Sequence, residues 1–173
     1  GFTTYSLVQL DNRAGYEARS GELKVLSQRL PLTAQQSVLG NVGAFKKLAE
    51  GKAAFQSTLT SLVDGDDEVP ASGSSARDSL AKVTEQWKKI DPQVSQILSQ
   101  QKNLVALNEN VKRINALSID LQEVSEQLTS QLADSGMGVR EVSRANHLVM
   151  LSQRLPKNAN LLLSSDLIDP EVV

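Results

Sequence analysis

A cluster of polar residues occurs twice in this chain, and it is the feature that could carry chemistry. The hexapeptide Leu-Ser-Gln-Arg-Leu-Pro occupies residues 26–31 and returns at residues 151–156. An arginine precedes each copy at the same offset, at Arg19 and at Arg144. Identity over six positions indicates an internal duplication, and such self-similarity constrains the architecture more strongly than local signals do.

The residue types of the first copy suggest a binding surface on a helix. Three leucines at helical spacing form one stripe, consisting of Leu23, Leu26 and Leu30. Arg19 projects from the same stripe, where it needs a carboxylate, a carbonyl oxygen or an anion, because burying an unpaired charge is costly. Three polar side chains point away from the stripe, namely Lys24, Gln28 and Arg29. They can line a groove, face a partner or lie in water.

Two hypotheses follow from this pattern. In the first, the repeated cluster binds an anion or a partner through Arg19, Lys24, Ser27, Gln28, Arg29, Arg144 and Arg154. In the second, Ser-Gln-Arg is an interhelical hydrogen-bond clamp that sets the register of a dimerisation or spacer bundle without a ligand. Val149 stands in the second copy where Lys24 stands in the first, which favours packing at that position.

Composition argues against several classes of function. A formal charge of −2 and a pI near 5.5 do not provide the basic face of a nucleic-acid-binding protein. One histidine, no cysteine and no phosphate-binding or nucleophile motif predict that the chain is not an enzyme and holds no metal or cofactor. The acidic segment 64–75 lacks the spacing of an EF-hand, so we predict a mobile loop at the tip of a helical hairpin.

No stretch of the sequence approaches the ~18 consecutive apolar residues of a membrane-spanning helix, and no signal peptide is visible.

The segment Gly-Glu-Leu-Lys-Val-Leu-Ser-Gln-Arg at residues 21–29 resembles the signature of PilJ-type sensor domains, roughly Gly-Arg-x-Arg-Met-Leu-Ser-Gln-Arg. It is more distantly similar to the nitrate-sensing module of NarX/NarQ-type kinases. The resemblance implies a periplasmic domain of an inner-membrane, chemoreceptor-like transducer, tethered through flanking helices and forming a homodimer. It also implies that the partner is the pilin subunit of type IV pili, sensed in twitching motility.

The nitrate-type alternative depends on one position of the motif. The family arginine that would meet nitrate falls on Lys24, which keeps the charge but lacks the planar fork of a guanidinium. In the second copy that position is Val149, and Asn146 replaces Gly21. A small-anion sensor of the nitrate type therefore remains an alternative for the first copy.

The low aromatic content of 3% favours aliphatic helix packing, so we predict an all-α fold. The expected architecture is an elongated antiparallel bundle with a long first helix, followed by the first helix of a second copy. The first helix should run to about Glu50 and serve as the dimer surface. It should bend at Pro31 and be weakened by Gly40 and Gly43. A short helical tail over 53–62 should follow Gly51.

The remaining elements are predicted from apolar spacing and punctuation. A helix should begin near Ser75 with Trp87 as a core anchor, and Asp91-Pro92 should start another. A shift of apolar phase predicts a turn or kink at 100–103. The buried seam of the next helix should comprise Leu107, Val111, Ile114, Leu117, Leu121, Val124, Leu128 and Leu132. The punctuation at 134–138 divides a first sensor module, 1–135, from the start of a second, 136–173.

Overall fold

Five α-helices make up the part of the chain that the computed structural model describes, residues 2–136 and 138–164. They are α1 (Phe2–Val38), α2 (Val42–Asp64), α3 (Ser74–Ser99), α4 (Gln101–Asp134) and α5 (Val139–Ser164). No strand occurs within these ranges, which confirms the all-α fold class. The chain divides into two compact units between Lys102 and Asn103. The predicted division at residue 135 concerns repeated sequence modules and stays a prediction.

The first unit is held together by an aliphatic and aromatic core shared by α1, α2 and α3. Its buried members are Leu23, Leu30, Leu48, Phe55, Leu59, Leu62, Trp87 and Val94. The rings of Phe55 and Trp87 stack with their centroids 4.3 Å apart. The indole N–H of Trp87 donates to Gln56 Oε1 at 2.6 Å, which satisfies the one polar atom of that ring. The prediction of Trp87 as a core anchor is confirmed.

The long first helix predicted to reach Glu50 is wrong, because α1 ends at Val38. Gly40 adopts a φ of 81°, its N–H donates to Ser37 O at 2.9 Å, and the N–H of Asn41 donates to Gln36 O at 3.2 Å. These two bonds form a Schellman motif, which closes a helix at a left-handed glycine. The side chain of Asn41 then accepts from the N–H of Gly43 at 3.1 Å and caps α2.

Two further boundary predictions are also wrong. Helix α2 continues without interruption past Gly51 to Asp64. A Cβ at Gly51 would lie 3.2 Å from Leu30 Cδ2, so the packing of α1 on α2 favours glycine at this position inside the helix. Asp91-Pro92 lies inside α3 and does not begin a helix. Asp91 pairs instead with Lys52 of α2 at 3.2 Å, and Val94 is buried one turn later. Tertiary packing therefore outweighs the hydrogen bond that Pro92 removes.

The second unit is a hairpin of α4 and α5, preceded by the predicted turn, which lies at Gln100. Its buried residues recur every seven positions, as Val111, Ser118 and Ser125 on α4 and as Ala145, Ser152 and Ala159 on α5. A hydrogen bond of 3.4 Å from Asn115 Nδ2 to Asn160 Oδ1 crosses between the helices. The predicted leucine-rich seam of α4 is wrong except at Val111 and the half-buried Leu132, because small and polar residues occupy the interior.

Candidate functional site

Arg19, the first of the predicted binding residues, forms ion pairs with carboxylates of its own unit. Its Nη2 lies 2.6 Å from Asp66 Oδ2 and 3.4 Å from Glu68 Oε2, and only 16% of its side chain is exposed. The expectation that this arginine needs an acidic partner is met within the chain. Arg19 therefore has little capacity left for an external ligand.

Asp66 is the centre of the loop that joins α2 to α3. It accepts hydrogen bonds from the Ser61 hydroxyl, from the backbone N–H of Val69 and Glu68, each at 2.9 Å, and from Arg19. These donors hold the pKa of Asp66 well below its ordinary value, with Ser61 contributing most. The carboxylate thus organises the loop around one stable negative charge.

The α2–α3 loop packs onto the first helix. The Tyr16 hydroxyl donates to Pro70 O at 2.7 Å, and the side chain of Val69 is 5% exposed. A Cβ at Gly15 would lie 2.5 Å from Val69 Cγ2, so only glycine permits this close approach. The loop is therefore tied to α1 and differs from the mobile segment that its composition predicts. Among the described residues, no group of three or more His, Cys, Asp or Glu side chains is placed to hold a metal ion.

Three other predicted residues lie on the exposed side of α1. Lys24, Gln28 and Arg29 are all exposed, and their side chains make no ion pair or hydrogen bond within the described ranges. The hydroxyl of Ser27 donates to Lys24 O at 2.7 Å, so it bonds to its own helix. The structure thus separates Arg19, which is engaged, from a row of free polar side chains at 24, 28 and 29.

Two grooves lie beside α1 in the first unit, and Arg29 of the row lines one of them. The first lies between α1 and α2, has a volume of about 540 Å³ and is lined partly by Arg29, Lys47 and Glu50. The second lies between α1 and α3, has a volume of about 510 Å³ and is mainly apolar, with Ser27 and Trp87 among its lining residues. The first groove brings two cations, Arg29 and Lys47, together with one carboxylate, Glu50, so its lining carries one net positive charge, which attracts a small anion.

The second copy of the motif uses a different side of its helix. We name the leucine face as Arg19, Leu23, Leu26 and Leu30 in α1 and Arg144, Leu148, Leu151 and Leu155 in α5. We name the serine face as Ser20, Lys24, Ser27 and Pro31 in α1 and Ala145, Val149, Ser152 and Pro156 in α5. Ser152 is 1% exposed and its hydroxyl donates to Val149 O at 2.7 Å, whereas Arg144 and Arg154 are exposed without a partner in the described ranges.

The sequence reasoning missed the loop residues that hold Arg19, because acids and glycines in a linker were interpreted only as turn formers. The available signal was Asp66 directly after Gly65, since an aspartate there can accept from the backbone N–H groups two and three residues ahead. Tyr16 and Gly15 gave no local signal, because their roles depend on a segment more than fifty residues away.

Comparison with known proteins places the chain in a family. Residues 5–114 match the family model described as "Type IV pili methyl-accepting chemotaxis transducer N-term". The chain is also 25% identical over 164 residues to Protein PilJ of Pseudomonas aeruginosa; the aligned region covers 94% of this chain and 24% of that relative. Among the described helices, none has the length and apolar content to cross a membrane. The family match covers more than half of the chain, and the chain therefore belongs to the N-terminal domain family of type IV pili methyl-accepting chemotaxis transducers.

Proposed function

We propose that this domain is the periplasmic input module of an inner-membrane transducer that senses the pilin subunit of type IV pili by direct contact. The family match supports a transducer domain linked to these pili. The chain spans about a quarter of the length of its relative, so membrane tethering through flanking helices and homodimer formation belong to the same proposal. The sensed contact would inform the cell of pilus engagement during twitching motility.

The observation that carries the proposal is the free polar row on α1. Lys24 and Arg29 are exposed cations without a partner in the described ranges, and Gln28 lies between them. Charged side chains at the rim of an interface steer association and select a partner of opposite charge. An acidic patch on pilin would satisfy this row, whereas Arg19 is already held by Asp66.

A contact on α1 could be transmitted because this helix is shared by the row and the core. Leu23 and Leu30 pack into the core on the leucine face, while the row lies on adjacent faces. Packed helices change between discrete arrangements, and a partner shifts such an equilibrium only through its difference in affinity for the two states. Pilin would therefore act by binding one arrangement of α1 more tightly than the other.

The test measures binding of the soluble domain of pilin to the chain with a charge-reversed row. Lys24→Glu combined with Arg29→Glu should weaken binding at least about tenfold and flatten its dependence on salt, because rim charges act through screened attraction. The matched control reverses two exposed lysines elsewhere in the first unit, Lys46→Glu and Lys88→Glu, and should change binding less than about twofold. Equal losses in both pairs, or no binding by the unaltered chain, would contradict the proposal.

A second candidate, small-anion sensing, is favoured by the groove that contains Arg29 and Lys47. A site filled at a hundredfold above its dissociation constant adds about 2.7 kcal/mol to stability. Nitrate or nitrite at millimolar concentration should then raise the unfolding midpoint, and Arg29→Ala should remove that rise. A spacer without ligand predicts no change in either experiment. It gains no support from the serines, because in the described ranges Ser27 and Ser152 each bond to their own helix.

A further inference from the structure

We propose that the groove between α1 and α2 is a binding site for an acidic α-amino acid, a ligand with two carboxylates and one ammonium group. The proposal does not depend on pilin sensing. It rests on the premise of the second candidate, that this groove binds an anion, and it assigns the groove a larger and more specific ligand than nitrate. Both walls of the groove lie within the range that matches the family model, so the groove belongs to the domain itself.

Three charged side chains line the groove, and they come from both of its walls. Arg29 belongs to α1, whereas Lys47 and Glu50 belong to α2. Neither cation forms an ion pair in the described ranges. Glu50 Oε1 lies 3.8 Å from Lys46 Nζ, but the two side chains are 64% and 83% exposed, and such a pair contributes little stability. All three charges are therefore accessible to a ligand.

The order of these charges along the groove follows from the register of the two helices. A Cβ at Gly51 would lie 3.2 Å from Leu30 Cδ2, so these two residues face each other. A short turn joins α1 to α2, so the helices run antiparallel. Measured from the facing pair, Glu50 and Lys47 lie towards the turn and Arg29 lies away from it. Glu50 is therefore between the two cationic residues, which are separated by roughly 8 Å along the helix axis.

An acidic α-amino acid carries the complementary order of charges. Its ammonium group lies between the α-carboxylate and the side-chain carboxylate, and its single net negative charge balances the net positive charge of the lining. Lys47 holds the α-carboxylate, Glu50 holds the ammonium group and Arg29 holds the side-chain carboxylate. The planar guanidinium of Arg29 can donate two parallel hydrogen bonds to that carboxylate. Both cations are at the ends of long, exposed side chains, which can close on a ligand of this length.

Simpler ligands leave part of this charge pattern unmatched. Nitrate reaches one cation and leaves Glu50 without an opposite charge. A dicarboxylate also lacks a positive group for Glu50, and a neutral amino acid leaves Arg29 unpaired. Unmatched charges beside a ligand lower its affinity, which gives the site its specificity. The methylene groups of the ligand lie against Leu30, and the groove volume of about 540 Å³ is within the range of small-molecule sites.

The test is a titration of the isotope-labelled chain followed by its amide NMR signals. L-glutamate should bind with a dissociation constant on the order of 1 mM, because the site is small, open and hydrated. It should shift the amide signal of Gly51 in the groove and leave that of Gly73, at the start of α3, in place. Glutarate lacks the ammonium group and glutamine lacks the second carboxylate. Each should bind about three- to tenfold more weakly, because each loses one charged contact.

Three substitutions in the groove assign each charge to its partner. Lys47→Gln and Arg29→Gln should each weaken glutamate binding about three- to tenfold, because each removes one cation. Glu50→Gln should remove the preference for glutamate over glutarate, since the ammonium group then has no carboxylate to contact. The matched control is Lys24→Gln, which removes an exposed cation of α1 that lines neither groove. This control should change glutamate binding less than about twofold.

The outcomes separate this inference from the other proposals. The inference is overturned if glutamate does not bind, if it binds no more tightly than glutarate, or if Lys24→Gln weakens it as much as Lys47→Gln does. Binding of nitrate without glutamate removes this inference and leaves the second candidate in place, whereas binding of neither removes both. Lys47 lies outside the polar row, so Lys47→Gln should leave pilin binding unchanged while it weakens glutamate binding.

Discussion

The two copies of the hexapeptide occupy helices that bury different sides of the same sequence. In α1 the leucine face is inside, with Leu23 and Leu30 at 9% and 6% exposure, while Ser27 is exposed. In α5 the serine face is inside, with Ser152 at 1% exposure, while Leu155 is 51% exposed. The motif itself is amphipathic enough to pack in either orientation, so the neighbouring helix decides which side becomes the interior.

The neighbours differ in the size of the side chains that they offer. Helix α2 presents large apolar residues to α1, including Leu48, Phe55 and Leu62, and these need leucines opposite them. In the second unit the buried positions of α4 are small and polar, including Ser118 and Ser125, as is the buried Ser152 of α5. Close packing requires the facing volumes to match. A repeated sequence therefore does not guarantee a repeated environment, and a binding role in one copy does not transfer to the other.

The largest expected effect comes from truncating the equivalent leucine in each copy, Leu30 in α1 and Leu155 in α5. Leu30→Ala should lower the free energy of unfolding by about 2–5 kcal/mol, because Leu30 is buried in a packed core. Leu155→Ala should change it by less than about 1 kcal/mol, because half of that side chain is already in water. Denaturant unfolding followed by Trp87 fluorescence, which reports on the first unit, and by circular dichroism checks both. Similar losses from the two changes would remove the distinction between the leucine faces.

The second prediction replaces the equivalent serine in each copy, Ser27 in α1 and Ser152 in α5, with a larger side chain. Ser152→Leu should destabilise the α4–α5 hairpin by about 1–3 kcal/mol, because a leucine overfills a position that is 1% exposed. Ser27→Leu should stay within about 0.5 kcal/mol, because that side chain points to solvent. The measurement is the helical circular dichroism signal on heating. A neutral Ser152→Leu would mean that the seam of the hairpin is not closely packed.

The sequence predicted helices and the core of the first unit well, since both depend on local periodicity. Trp87 lies where its spacing places it, and the turn at Gln100 follows from the shift of apolar phase. The end of α1 could have been predicted from Gly40 followed by Asn41, because the first closes a helix and the second caps the next. The low helix propensity of Gly40, taken alone, predicts a weaker helix and does not indicate that the helix ends there.

The environment of each binding residue could not be predicted, because it depends on residues distant in sequence. Arg19 and Arg144 occupy equivalent positions in the repeat, yet among the described residues only Arg19 has an acidic loop within reach. Periodicity also could not predict which side of α4 is buried, because two rows recur at helical spacing. The exposed row is Leu107, Ile114, Leu121 and Leu128, and the buried row is Val111, Ser118 and Ser125. Which row is buried depends on the partner helix, and the interior row is the less apolar of the two.

A smaller effect is expected when the two equivalent arginines are removed. Arg19→Ala should lower the free energy of unfolding by about 1 kcal/mol, because it breaks a charged hydrogen bond at a largely buried side chain. Arg144→Ala should have no measurable effect, since Arg144 is exposed without a partner in the described part of the chain. Thermal unfolding at low ionic strength makes the comparison. If Arg144→Ala is the more destabilising, the second copy has an acidic contact of its own.

The smallest effect is a difference in acid sensitivity. The lowered pKa of Asp66 stabilises the folded chain above about pH 4, the ordinary value of an aspartate, and this stabilisation is lost as the pH falls towards the folded pKa. Below pH 4, the midpoint of thermal unfolding reported by Trp87 fluorescence should therefore decrease more steeply with falling pH in the unaltered chain than in Asp66→Asn. Asp67→Asn, which changes an exposed neighbour, should keep the original slope. Equal slopes for Asp66→Asn and the unaltered chain would mean that the loop carboxylate is not held by its donors in solution.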